Sequence, residues 1–189
     1  RSSGPDQGLA QTPRALIDSD TGPVVNPKTD PPADFDASAY PVAGLSVEVI
    51  DQFLRWQRKV QGESVALPTA SQWEKAARGV DGREYPWGRG FDPSFTAGRR
   101  SSAEPLAFGG WPMRRASFTS DSSVYGVRDL AGNVSEILAD GPGTDVRWIA
   151  GGKRSDAQAL DHLAWPRLTM SRDGFDDLSG FRLVRNLAR

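Results

Sequence analysis

The sequence predicts an α+β domain with a large irregular fraction, and three observations carry that prediction. Apolar residues at helical spacing are confined to two stretches between residues 46 and 79. Short strand-like apolar runs occur only after that point. Gly, Pro, Asp and Ser punctuate the intervening chain, so substantial loops separate the elements. At 189 residues the chain suits one compact domain, able to bury roughly 70% of its unfolded surface without covalent staples.

Residues 1–40 are read as a proline-rich irregular arm, partly ordered on the domain surface, because residues 1–42 hold seven of the 14 prolines and show no sustained period. The domain proper spans 41–189. Its first helix follows from Val49, Ile50, Phe53, Leu54, Gln57 and Val60 on one face, with Glu48, Asp51, Arg55, Arg58 and Lys59 elsewhere. Ser46 caps its start and Gly62 ends it. The second helix opens on a capping box, Thr69-Ala70-Ser71-Gln72, carries Trp73, Ala76 and Ala77 as its apolar stripe, and stops at Gly79 in a left-handed cap. Leu67-Pro68-Thr69 aims that helix sharply away from the preceding segment. Tyr85-Pro86-Trp87-Gly88 reads as an aromatic turn pinning a loop to the core. Strands are expected at 135–138, 146–149 and 181–184, and alternation in Gly180-Phe181-Arg182-Leu183 points the arginine away from its apolar neighbours.

Composition bounds the chemistry. With no cysteine there is no disulfide, thiol nucleophile or thiolate metal site in this chain. One histidine, His162, cannot supply the two or three imidazoles of a zinc or non-haem iron centre, so such a site would take ligands from elsewhere. A net charge of -1 gives no overall field for nucleic acid or an anionic membrane. Arg99-Arg100 and Arg114-Arg115 lack interleaved aromatics and read as solvated loop faces. No apolar run approaches the roughly 20 residues of a membrane span, and Arg1-Ser2-Ser3-Gly4 does not begin a hydrophobic signal. The compartment stays open. The first residue is not methionine, which points to a fragment of something larger.

Five segments, in order, resemble one family. They are PVAGLSVEVIDQFLRWQ at 41–57, LPTASQWEKAARG at 67–79 with REYPWG at 83–88, VYGVRDLAGNVSEI at 124–137, WIAGG at 148–152 and GFRLVR at 180–185. They resemble the formylglycine-generating enzyme and sulfatase-modifying-factor family, whose domain is an elaborated C-type-lectin-like fold. The resemblance therefore implies two helices plus short antiparallel strands and much irregular structure. The family's opening strands have no counterpart in this chain. Either another segment completes the first sheet or the fold is a reduced version.

The resemblance also implies a structural Ca²⁺ site. A loop of the type N/D-x-x-G-N-x-W-E binds calcium in the family, and it maps to the Asp129 side chain, the carbonyls of Gly132 and Val134, and Glu136. Oxygen donors of this kind suit a hard cation. The competing reading has Asp129 capping a turn and Glu136 paired with an arginine. Near residues 96–110, where the family holds another ion, Thr96-Ala97-Gly98-Arg99-Arg100 offers no carboxylate.

The family's oxidases use paired cysteines and its sulfoxide synthases use histidine-held iron, and this chain can build neither. Ser135 and Ile137 replace two tryptophans of the calcium loop, and Lys153-Arg154 replaces the tryptophan usual after the paired glycines. The sequence thus points to a non-catalytic recognition or scaffolding module for a protein or peptide partner. The partner is a separate chain or a missing N-terminal segment. Lys153, Arg154, His162, Trp165, Arg167 and Arg172, with Asp156 and Asp173 among them, are the candidate ligand-binding residues, against a reading of solvated charges around a half-buried tryptophan. The alternative is an oxidase-like enzyme whose ligands lie on a missing segment or partner chain. Asp140 and Asp145, flanking Gly141-Pro142-Gly143, read as a solvated turn. Related domains occur in bacteria as fusions to kinases and proteases and as retroelement-diversified binding proteins. Residues 150–179 lack the asparagine and tyrosine of that last group.

Overall fold

A computed structural model describes residues 36–61, 65–101 and 111–185. Residues 1–35 of the 1–40 arm and the helix stop at Gly62 lie outside the described residues. A 3-10 turn at Ala37–Ala39 leads to α1 (Val47–Gln61), then β1 (Val65–Ala66) and α2 (Ala70–Arg78). A long loop region follows, after which come β2 (Ser135–Ile137), β3 (Val146–Ala150), β4 (Leu168–Ser171), β5 (Ser179–Gly180) and β6 (Val184–Arg185).

The larger sheet runs β4-β3-β2-β5, and its alternating side chains divide the core in two. Ile137, Ile149 and Met170 point to one face, where Val47, Ile50 and Leu54 of α1 cover them. Leu138 and Ala150 point to the other, where Trp73 and Ala77 of α2 pack with Leu130 and Ala164. Both helices therefore exist because each has an apolar stripe to bury against an opposite side of one sheet. The smaller sheet pairs β1 with β6, bringing the last described strand beside the link between the helices. Pairing is antiparallel except at β2–β5, where Ser135 lies beside Ser179 and Glu136 beside Gly180 in parallel register.

The α2 start follows the sequence reading: Thr69 Oγ1 accepts from the Gln72 amide at 3.2 Å, and the Thr69 amide donates to Gln72 Oε1 at 2.9 Å. Asp140 adds an unforeseen cap, its Oδ1 accepting from the Ala70 amide at 2.7 Å. The Tyr85 turn also holds, with Tyr85 stacked on Trp87 at 5.2 Å between ring centres and Phe91 and Phe95 completing the aromatic cluster.

Three local expectations are corrected. Gly79 has positive φ but ψ of -141°, so it leaves the helix in an extended turn and not in the left-handed cap. A Cβ there would lie 2.8 Å from Val124 Cγ2. Residues 181–183 are not a strand but bridge β5 and β6; Arg182 does point away from Phe181, which packs on the α1 side of the core while Arg182 reaches a buried carboxylate on the α2 side. β1 and β4 were not foreseen, since β1 has two residues and β4 buries only Met170 of its four.

Removing the reciprocal cap should be measurable in isolation. Thr69→Ala is expected to lower the unfolding free energy by about 1 kcal/mol in urea denaturation. An unchanged midpoint would show that Asp140 alone satisfies the helix start.

Candidate functional site

The loop connecting the aromatic cluster to β2 is organised around buried acids. Glu136, on the α2 side of β2, is 5% exposed. Its Oε2 accepts from Trp73 Nε1 at 2.6 Å and from Arg182 Nε at 2.6 Å, while Oε1 accepts from Arg182 Nη2. Arg182 Nη2 also donates to the carbonyls of Arg128 at 3.1 Å and Asp129 at 3.2 Å. One guanidinium thus binds α2's partner acid and both carbonyls at the loop's turn. Asp129 has φ of 55°, a left-handed conformation that Asp tolerates, and its Oδ2 accepts from the Ala116 amide at 2.7 Å. Gly132 is required by space: a Cβ would stand 2.3 Å from Thr96 Oγ1. Asn133, with φ of 74°, ties the loop to Met113 through both its amide atoms. Val134 is buried with Ala43 and Trp111.

Asp121 sits beneath this loop, 1% exposed. It accepts from Thr96 Oγ1 at 3.0 Å and from the Leu130 and Ala131 amides at 3.2 and 3.1 Å. Burial nonetheless pushes its carboxyl up to about 7, since these neutral donors do not offset the lost hydration. Burial raises Asp129 as well. Burial works against the Arg182 charge, but Glu136, Asp129 and Asp121 together hold its pKa above the ordinary value. Three carboxylates face one guanidinium.

The candidate ligand-binding residues do not converge. Lys153 Nζ pairs with Asp176 Oδ2 at 2.6 Å, and its amide donates to Asp156 Oδ2 at 2.9 Å. The Arg154 amide donates to the Asn133 carbonyl at 2.9 Å. Arg172 reaches Asp51 on α1 at 3.7 Å, beside Arg147 at 3.6 Å, on the α1 side of the sheet. Asp173 is exposed. His162 does not belong to a binding surface: it is 1% exposed, Nδ1 donates to the Ala131 carbonyl at 2.6 Å, and its ring stacks on Phe91. Gly98 and Gly152 exist to admit it, because a Cβ at Gly152 would lie 2.4 Å from Nδ1. His162 is an internal pin.

Trp165 is half-buried, as the competing reading had it, and Arg167 is exposed. Trp165 forms one wall of an open groove with Pro166 and Trp148, opposite Ala70, Glu74 and Arg78 of α2. The Arg78 guanidinium lies over the Trp165 ring at 4.9 Å and pairs with Glu74. Arg167 Nη1 donates to the Leu160 carbonyl nearby. Sequence reasoning missed Glu74, Arg78 and Trp148. Glu74 and Arg78 were visible as an i,i+4 pair on α2, but nothing in the sequence brings Trp148 opposite them.

Fold and site together define a domain of the formylglycine-generating-enzyme type, built on the C-type-lectin-like architecture. Residues 20–187 match the family described as "sulfatase-modifying factor enzyme 1-like domain", and the chain belongs to that family. The match begins within the stretch read as an arm. The chain is 31% identical over 134 residues to the mouse (Mus musculus) protein named "Inactive C-alpha-formylglycine-generating enzyme 2", covering 65% of this chain and 44% of that protein. The cattle (Bos taurus) protein of the same name is 29% identical over 161 residues, covering 79% and 52%. The chain therefore spans about half the length of these curated relatives. The crystal structure of CarF superposes with a TM-score of 0.66 at 21% identity, covering 96% of this chain and 80% of that one, a likeness of fold.

Two outcomes follow from the buried charges. Arg182→Met strands the Glu136 carboxylate and should cost about 3 kcal/mol in chemical denaturation, whereas adding Glu136→Leu should recover part of the loss. An additive double variant would contradict direct coupling. Asp121 binds its proton more tightly folded than unfolded, so its contribution is greatest below about pH 4, declines as pH rises toward about 7 and is flat above. In chelator-containing buffer, wild type minus Asp121→Asn stability should fall over that window. A difference independent of pH would show that Asp121 is ionised throughout.

Proposed function

We propose that this domain is a non-catalytic recognition module of the formylglycine-generating-enzyme type, engaging a protein partner at the groove between α2 and Trp165. The carrying observation is that groove, where half-buried aromatic side chains and a paired Glu74 and Arg78 stand on α2, β3 and the segment before β4. Two further features support the reading. The chain has no cysteine, and its one histidine is buried with Nδ1 committed to a carbonyl, so neither supplies a redox ligand at the surface. The named mammalian relatives are called inactive.

Calcium at the Asp129 loop is a second part of the proposal. Asp129 and Glu136 lie close enough to act on one guanidinium, Arg182. Among the described residues Glu136 Oε1 accepts from Arg182 alone and no bond falls on Asp129 Oδ1, so each keeps lone pairs for a calcium ion. Among the described residues no three acids or histidines converge on one point, so the ion would rely on the Gly132 and Val134 carbonyls and water. Its contribution would be structural, fixing the loop ahead of β2.

Affinity capture with Trp165→Ala/Arg167→Ala against wild type tests recognition: loss of specific partners is the expected result, and an unchanged set contradicts it. Neither protein should convert a cysteine-containing sulfatase-type peptide to formylglycine; conversion would overturn the non-catalytic reading. Calcium should raise the melting temperature of wild type over its chelated form and leave Asp129→Ala unmoved, since a ligand at one hundred times its Kd stabilises by about 2.7 kcal/mol. Equal melting curves would remove the ion.

A further inference from the structure

The chemistry of the groove narrows its occupant, given that it is the recognition surface. Ala70, Glu74 and Arg78 line up at i, i+4 and i+8 on α2, facing Trp148, Trp165 and Pro166. Arg78 is not available to a ligand. Its Nε donates to the Arg83 carbonyl at 2.9 Å, Nη2 to the Gly82 carbonyl at 2.9 Å and Nη1 to Glu74. The guanidinium braces the Trp165 ring. β3, which carries Trp148, offers no edge for strand addition, because it is paired with β2 and β4; the edge strand on this side is β4. The Trp148 amide donates to the Asp140 carbonyl at 2.8 Å, and its carbonyl accepts from Leu138 at 3.0 Å.

What the groove leaves unspent is specific. Trp73 and Trp87 donate their indole N–H groups, to Glu136 and to the Gly90 carbonyl. The indoles of Trp148 and Trp165 donate to no described residue and are not buried, so both N–H groups reach solvent. Glu74 Oε1 holds Arg78, while Oε2 has no partner. The surface therefore offers the uncovered parts of two half-buried indoles, one of them carrying Arg78 on its ring, a proline ring, two donors for carbonyl oxygens and the second oxygen of a Glu74 carboxylate already paired with Arg78. A saccharide would ask for several convergent polar groups, and the site has spent most of its own. A polyproline II segment suits it: its rings stack on indoles, its carbonyls carry no internal bonds, and it needs no backbone ladder.

We propose that the Trp148–Trp165 groove binds a proline-rich segment of a partner protein in the polyproline II conformation, with a basic residue flanking the prolines at Glu74. The test is a titration of the ¹⁵N-labelled full chain with an arginine-flanked oligoproline, following the indole N–H signals of its six tryptophans. Trp148→Phe and Trp165→Phe assign the two relevant signals and, by retaining spectral dispersion, confirm folding. Those two signals should move saturably with oligoproline and stay fixed with an arginine-flanked glycine–serine peptide of equal length. Affinity should fall at least tenfold in Trp165→Phe and severalfold in Glu74→Gln. Absence of a saturable shift, an equal response to the glycine–serine peptide, or movement with a gluco-oligosaccharide in place of oligoproline would overturn the proposal. If oligoproline fails while partner capture still depends on Trp165, the proline class falls and recognition stands; if both fail, both fall.

Discussion

The structure depends on one buried contact, the Glu136 carboxylate held between Trp73 Nε1 and the Arg182 guanidinium. Trp73 brings α2, Glu136 is the middle of β2, and Arg182 brings the chain between β5 and β6. Through the Arg128 and Asp129 carbonyls the same guanidinium fixes the turn ahead of β2. A carboxylate 5% exposed is stable only when its hydrogen-bonding capacity is met, so the three partners are mutually obligatory. Short strands explain the need. With β2 three residues long and β5 and β6 two each, ladder bonds alone hold little, and side-chain bonds between distant segments carry the register.

This frame explains why the groove can sit where it does. α2 is fastened by Trp73 on its buried face, so it can present Glu74 and Arg78 to the groove without losing position. Trp148 leans on the same core cluster from β3. Both groove walls are thus extensions of the packed core, which makes the surface rigid in advance of any ligand and lowers the ordering cost of binding.

The helices were legible because their signals are local: a capping box at Thr69 and apolar spacing through Val49, Ile50, Phe53 and Leu54 act within one or two turns. The family motifs were legible for the same reason, and two residues they singled out, Asp129 and Glu136, both meet Arg182, through the Asp129 carbonyl and the Glu136 carboxylate. The alternation of Phe181 and Arg182 was legible, but the partner of Arg182 was not, because Glu136 lies 46 positions away in the chain. His162 was counted with its charged neighbours because nothing beside it in sequence reveals that Gly98 and Gly152 make room for the ring. Candidate binding residues contiguous from 153 to 172 scattered over two faces of the sheet, since β4 and the turn before it carry the chain from one face to the other.

The central claim is that the Glu136 contact joins α2, β2 and the segment after β5 into one cooperative unit, and native-state hydrogen exchange tests it most directly. Amides of α2, β2 and residues 179–182 are expected to open together, with a common free energy equal to that of global unfolding. Exchange of α2 through a separate, lower-energy opening while β2 stays protected would contradict it.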